Sequence, residues 1–81
     1  FELVKQTRGI PHQIVGEVML QQVNPVLAWR RYLNLTQAEL AARMGISQPA
    51  LAQIETALRP RKVTLKKVAQ ALGLQVEQLL F

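Results

Sequence analysis

The chain has 81 residues, enough for one small domain, with ten Lys and Arg against five acidic residues and a formal net charge of +5. It contains no Cys, no Asp, one Ser (Ser47) and one His (His12), which excludes a disulfide framework, a thiolate metal site, a cysteine nucleophile and a Ser-His-Asp triad. Its acidic residues, Glu2, Glu17, Glu39, Glu55 and Glu77, never lie three or four apart on one helix, so no catalytic or metal-binding cluster and no cofactor is expected. The basic balance suits a nucleic acid or an acidic membrane surface, and it suits solubility equally well. No apolar run approaches the ~20 residues that cross a bilayer, and no secretory signal is legible. The start at Phe1 rather than Met is expected of an excerpt or a processed product.

Five or six helical segments and no strand are predicted, an all-α fold. In "IPHQIVGEVMLQQ", Pro11 marks a helix start, and Ile14, Val15, Val18 and Met19 share one face, weakened by Gly16. Asn24 followed by Pro25 is a second start signal, a capping side chain and then proline at the first helical position. The helix it opens, "PVLAWRRYLN", is expected to bury Val26, Trp29 and Leu33 and to stop near Asn34, a residue that tolerates the left-handed conformation. Trp29 and Tyr32 have the chemistry to stack on bases, but the stripe Trp29 shares with Val26 and Leu33 assigns it to the core. His12 is expected to be exposed, and Met19 and Met44 to fill the core.

Thr36 and Glu39 form a T-x-x-E capping box ahead of a helix whose inward face is Leu40, Ala41 and Met44. Gly45 ends that helix. Ser47 caps the next one, where Pro49 is tolerated because a first-turn N–H has no helical partner, and Leu51, Ile54 and Leu58 face inward. "RPRK" at 59–62 reads as a surface loop. Thr64 is predicted to cap "LKKVAQAL", with Leu65, Val68, Ala69 and Leu72 inward and Gly73 closing it. "VEQLLF" adds a turn or two.

The two helices around Gly45 make a helix-turn-helix. The motif needs a small residue where its helices meet (Ala41), a residue able to take a positive φ in the turn (Gly45), and apolar residues locking the helices together: Leu40, Met44, Ile46, Leu51 and Ile54. In "LTQAELAARMGIS", "QIE" and "LKKVAQALGL", the chain resembles the helix-turn-helix repressors of the phage repressor and Cro class, also called the XRE family, from about Trp29 to Leu80. That resemblance implies a five- to six-helix, lambda-repressor-like DNA-binding domain over residues 24–81, with the motif at about 36–56. Residues 1–23 are left as an N-terminal segment with one extra helix.

In that family the second helix of the motif lies in the major groove with its N-terminal residues toward the base edges. The resemblance therefore implies that Gln48 and Gln53 contact bases, a glutamine amide pairing with adenine N6 and N7. Pro49 can offer only van der Waals contact, for instance to a thymine methyl. Pro49 and Ala52 stand where many relatives carry hydrogen-bonding side chains, so direct readout is expected to be thin and phosphate and shape terms heavier. Gln37 matches a phosphate-contacting position aided by the helix dipole. Ser47 either bonds a phosphate or caps the helix. Arg59, Arg61 and Lys62, with Lys66 and Lys67, read either as a solvated face or as a phosphate clamp, and proximity to the motif favours the clamp for Arg59 and Arg61. Ala57 or Leu58 falls where relatives usually have Gly, and the loop beyond is about one residue short. An arginine at the place of Arg30 pairs with the glutamate of "QIE", so Arg30 and Glu55 are assigned a structural role.

"IPHQIVGEVMLQQVNPVLAWRRYLNLTQAEL" further resembles the antitoxins of bacterial type II toxin–antitoxin pairs. This implies an autoregulating operon repressor, dimeric, cytoplasmic in a bacterium and on the nucleoid when bound, with double-stranded operator DNA and a cognate toxin as partners. The N-terminal helix would be a toxin-contact, dimer or packing element. The alternative is an interaction module with the same fold that binds a toxin or other regulator without reading DNA.

Overall fold

A computed structural model describes residues 10–57 and 60–80. Leu58 and Arg59, assigned above to the core and to a phosphate clamp, lie outside the described residues, as do residues 1–9 and 81. The order is α1 (His12–Met19), α2 (Pro25–Tyr32), α3 (Gln37–Met44), α4 (Gln48–Thr56), α5 (Lys62–Leu72) and a 3₁₀ turn (Val76–Gln78), with no strand among the described residues.

Most helix ends are set by local chemistry. Asn24 Oδ1 accepts from the N–H groups of Val26 and Leu27 ahead of Pro25. Thr36 and Glu39 make both bonds of the capping box. Ser47 Oγ accepts from Ala50 N–H. Gly45 and Gly73 close α3 and α5 at φ of 70° and 71°, and Asn34 takes φ 58° after α2.

The core gathers Ile10, Ile14, Val26, Ala28, Trp29, Leu40, Ala41, Leu51, Leu65, Val68, Ala69 and Leu79. Ile10 and Ile14 belong to it, so the helix ahead of Asn24 packs into the same interior as the rest. Trp29 is buried, its Nε1–H donating to the Gln78 carbonyl at 3.0 Å, with Tyr32 edge-on to its ring. His12 is exposed.

Three expectations are corrected. Leu33 does not continue the buried stripe: it is the C-cap of α2 and 38% exposed, because the chain leaves the helix there. Met19, the last residue of α1, is 40% exposed rather than core, whereas Met44 does pack against the core. Thr64 does not cap α5. Leu65 N–H closes on the Arg61 carbonyl, so the turn ahead of the apolar stripe is already helical and Thr64 sits within it.

Hydrogen bonds from the Thr36 backbone and then the Thr36 hydroxyl hold the Glu39 carboxyl below its ordinary range. A depressed carboxyl contributes stability at neutral pH that fades as pH falls through the acid range. Replacing Glu39 by Gln, which can form the same box, should therefore give a protein whose Tm gap to the parent narrows between pH 7 and pH 3. A gap independent of pH would contradict an ionised cap.

Candidate nucleic-acid interface

Gly45 turns the chain between α3 and α4, with Ala41 buried at the approach and Ile46 N–H donating back to the Ala41 carbonyl at 3.0 Å. Leu40 and Leu51, both fully buried, lock the two helices from within. What this leaves outside is the amino end of α4, with Ser47, Gln48 and Pro49 exposed, and Gln53 exposed about one turn further along. The α3–turn–α4 unit therefore has the geometry of a helix-turn-helix whose second helix offers its amino end to solvent.

A chain of polar contacts runs from the interior to that surface. Arg30 Nε and Nη2 donate to Glu55 Oε2 and Oε1 at 2.6 and 3.1 Å, a two-pronged pair with side chains only 15% and 5% exposed. Arg30 Nη1 also donates to the Leu35 carbonyl at 3.0 Å, which fixes the connection between α2 and α3. Glu55 Oε1 accepts a third bond, from Gln37 Nε2 at 3.0 Å, and Gln37 Oε1 in turn accepts from Gln48 Nε2 at 3.2 Å. One carboxylate on α4 thus holds α2 and the first residue of α3, and Gln37 passes that restraint to the side chain of Gln48. Gln48 keeps one N–H and its carbonyl oxygen without a hydrogen bond among the described residues.

The family resemblance implied the Arg30–Glu55 pair but not the Gln37 link, since Gln37 and Gln48 meet only once α3 and α4 have packed. Ser47 caps α4 through its hydroxyl oxygen, which accepts from Ala50 N–H. Arg61 and Lys62 are exposed at the start of α5, and Arg61 shares a groove of about 320 Å³ with Gln53, Ala57 and Thr64. Lys66 and Lys67 are also exposed on α5. Ala57, one of the two residues at the place where relatives usually have glycine, ends α4 with an extended backbone (φ −68°, ψ 137°), and the other, Leu58, lies outside the described residues. The end of α4 is also held by Asn24, whose amide Nδ2 donates to the carbonyls of Ile54 at 2.9 Å and Ala57 at 2.6 Å. The Asn-Pro signal predicted only its capping of α2. Among the described residues no three metal-ligating side chains converge, and no helix is long and apolar enough to cross a membrane.

A helix-turn-helix family model matches residues 27–79, and the chain belongs to that family. Over 45 residues it is 49% identical to a protein of Sinorhizobium fredii described as an uncharacterized HTH-type transcriptional regulator, y4dJ. The match covers 54% of this chain and 58% of that relative, so the chain accounts for less than two thirds of the relative's length. No solved structure matches the chain. The all-α architecture is that of a lambda-repressor-like domain with one additional helix at its amino end.

Proposed function

We propose that this protein is a sequence-specific, double-stranded DNA-binding repressor, with residues 24–81 as the DNA-binding domain. The observation that carries this reading is the presentation of Gln48: exposed at the amino end of α4, oriented by Gln37, with one N–H and one carbonyl oxygen still to satisfy. Those two groups are what a bidentate contact to adenine N7 and N6 uses. Pro49 and Gln53 flank it on the exposed side of α4, and Arg61 and Lys62, with Arg59, supply positive charge for the phosphates alongside. Gln37 retains one amide N–H for a phosphate, and Ser47 can accept its cap bond while donating its hydroxyl proton to another. A homodimer would read two half-sites about one helical turn (~34 Å) apart.

Replacing Gln48 by Ala should leave the fold intact and reduce discrimination between operator and shuffled duplex by ~1–3 kcal/mol. Replacing Arg61 or Lys62 by Ala should weaken binding to both duplexes alike and lower the salt slope by about 0.9 for each phosphate that is no longer neutralised. Fluorescence anisotropy on the duplex upstream of the reading frame, over a salt series, measures both. Equal losses on the two duplexes for the Gln48 variant would contradict base readout.

Within this reading the protein serves as the autoregulating antitoxin of a toxin–antitoxin operon, the toxin meeting the N-terminal helix. Support comes from the sequence pattern over residues 10–40 and from Met19 and Leu20, which are 40% and 85% exposed at the end of α1. The same exposure favours the second reading, an interaction module that binds a protein partner and no DNA. A folded protein that shifts no duplex at low salt selects the second reading.

A further inference from the structure

α4 ends without the usual device. Its C-cap, Ala57, is extended rather than left-handed, and the local closure there is Ala57 N–H donating to the Ile54 carbonyl at 3.3 Å and the Thr56 hydroxyl donating to the Gln53 carbonyl at 2.8 Å. One side chain from 30 and 33 residues upstream adds to this closure: Asn24 Nδ2 donates to the Ile54 and Ala57 carbonyls. The same residue's Oδ1 accepts from Val26 and Leu27 N–H, and Asn24 is only 6% exposed. One amide therefore caps the amino end of α2 with its oxygen and the carboxyl end of α4 with its nitrogen.

The position of this clasp matters for what α4 carries. Arg30–Glu55 holds α4 one residue beyond Ile54, from the same helix, α2. Ala57 lines the groove that also contains Gln53 and Arg61. Fixing the Ala57 carbonyl thus fixes the α4 wall of the groove that Arg61 shares.

We infer that Asn24 is a positioning residue for DNA binding, setting the end of α4 and with it the placement of the Arg61 side of the interface. This rests on the DNA-binding reading above. Asn24 touches no DNA in this scheme, and it acts only through the two carbonyls it holds.

Two variants separate its two halves. Asn24→Asp keeps an equally good capping oxygen for α2 but loses the donor and places a carboxylate against two carbonyls. Asn24→Ser keeps a capping hydroxyl, is neutral, and is too short to span to α4. In both, amide exchange at Ala57 and residues 61–64 should quicken about tenfold relative to the parent, while amides within α3 keep their rates. In both, operator affinity, measured where the variant is fully folded, should fall, with a salt slope smaller by about 0.9 for every phosphate the displaced Arg61 side no longer reaches. A merely structural role would lower stability yet leave the slope of the folded protein unchanged. Unchanged exchange around Ala57, or altered exchange with affinity and slope equal to the parent, overturns the inference. A parent that binds no duplex overturns the DNA-binding reading instead, and the exchange rates still decide whether Asn24 clasps α4.

Discussion

Replacing Glu55 by Ala should lower the stability of the fold by ~3–5 kcal/mol, the cost of leaving one member of a buried pair without its partner. Glu55 accepts three hydrogen bonds, two from Arg30 and one from Gln37, and its side chain is 5% exposed. Its removal strands a guanidinium that is itself mostly shielded from water and keeps only the Leu35 carbonyl. A domain of this size has a total stability of roughly 4–12 kcal/mol, so the variant should be partly unfolded near physiological temperature. The functional consequence differs from the thermal one. Gln37 loses its acceptor and Gln48 loses an oriented neighbour, so the folded fraction should also discriminate less between operator and shuffled duplex. Denaturant titration measures the first effect and anisotropy at low temperature the second. Changing both partners to apolar residues of similar volume should recover much of the stability but not the discrimination, because the desolvation cost disappears while Gln37 stays unanchored. Recovery of both would show that the pair has no part in orienting the surface.

Replacing Leu51 by Ala should cost ~2.7–5 kcal/mol, of the same order but by another route. Leu51 is fully buried on the inner face of α4, opposite the exposed Pro49 and Gln53, and the truncation leaves a cavity in a close-packed interior. No polar partner is orphaned. Where the variant is folded, its ratio of operator to shuffled affinity should match the parent's, in contrast to Glu55→Ala. Chemical denaturation with unchanged m-value, followed by binding at a temperature below the transition, tests the pairing of reduced stability with kept selectivity. Reduced selectivity in the folded variant would mean that α4 shifts as a body when its core side chain is trimmed.

The sequence determined most of what depends on near neighbours along the chain. Thr36 with Glu39, Gly45, Ser47 with Ala50, and Asn24 with Pro25 act within three or four residues, so their chemistry is legible in order. The apolar spacing of Leu40, Ala41, Leu51, Leu65, Val68 and Ala69 likewise named the core, since a helix repeats its faces at a fixed period. Where spacing misled, the helix had ended: Leu33 and Met19 hold the right phase but stand at the last position or just past it, where the face is no longer covered. What the tertiary structure alone decided is which polar groups meet across helices. Gln37 lies 18 residues from Glu55 and 11 from Gln48, and Asn24 lies 30 residues or more from the carbonyls it holds. A side-chain amide has donors and acceptors for many partners, and nothing in its local sequence selects among them. Packing does so, by bringing buried polar atoms within reach of one another under a penalty for leaving any unpaired.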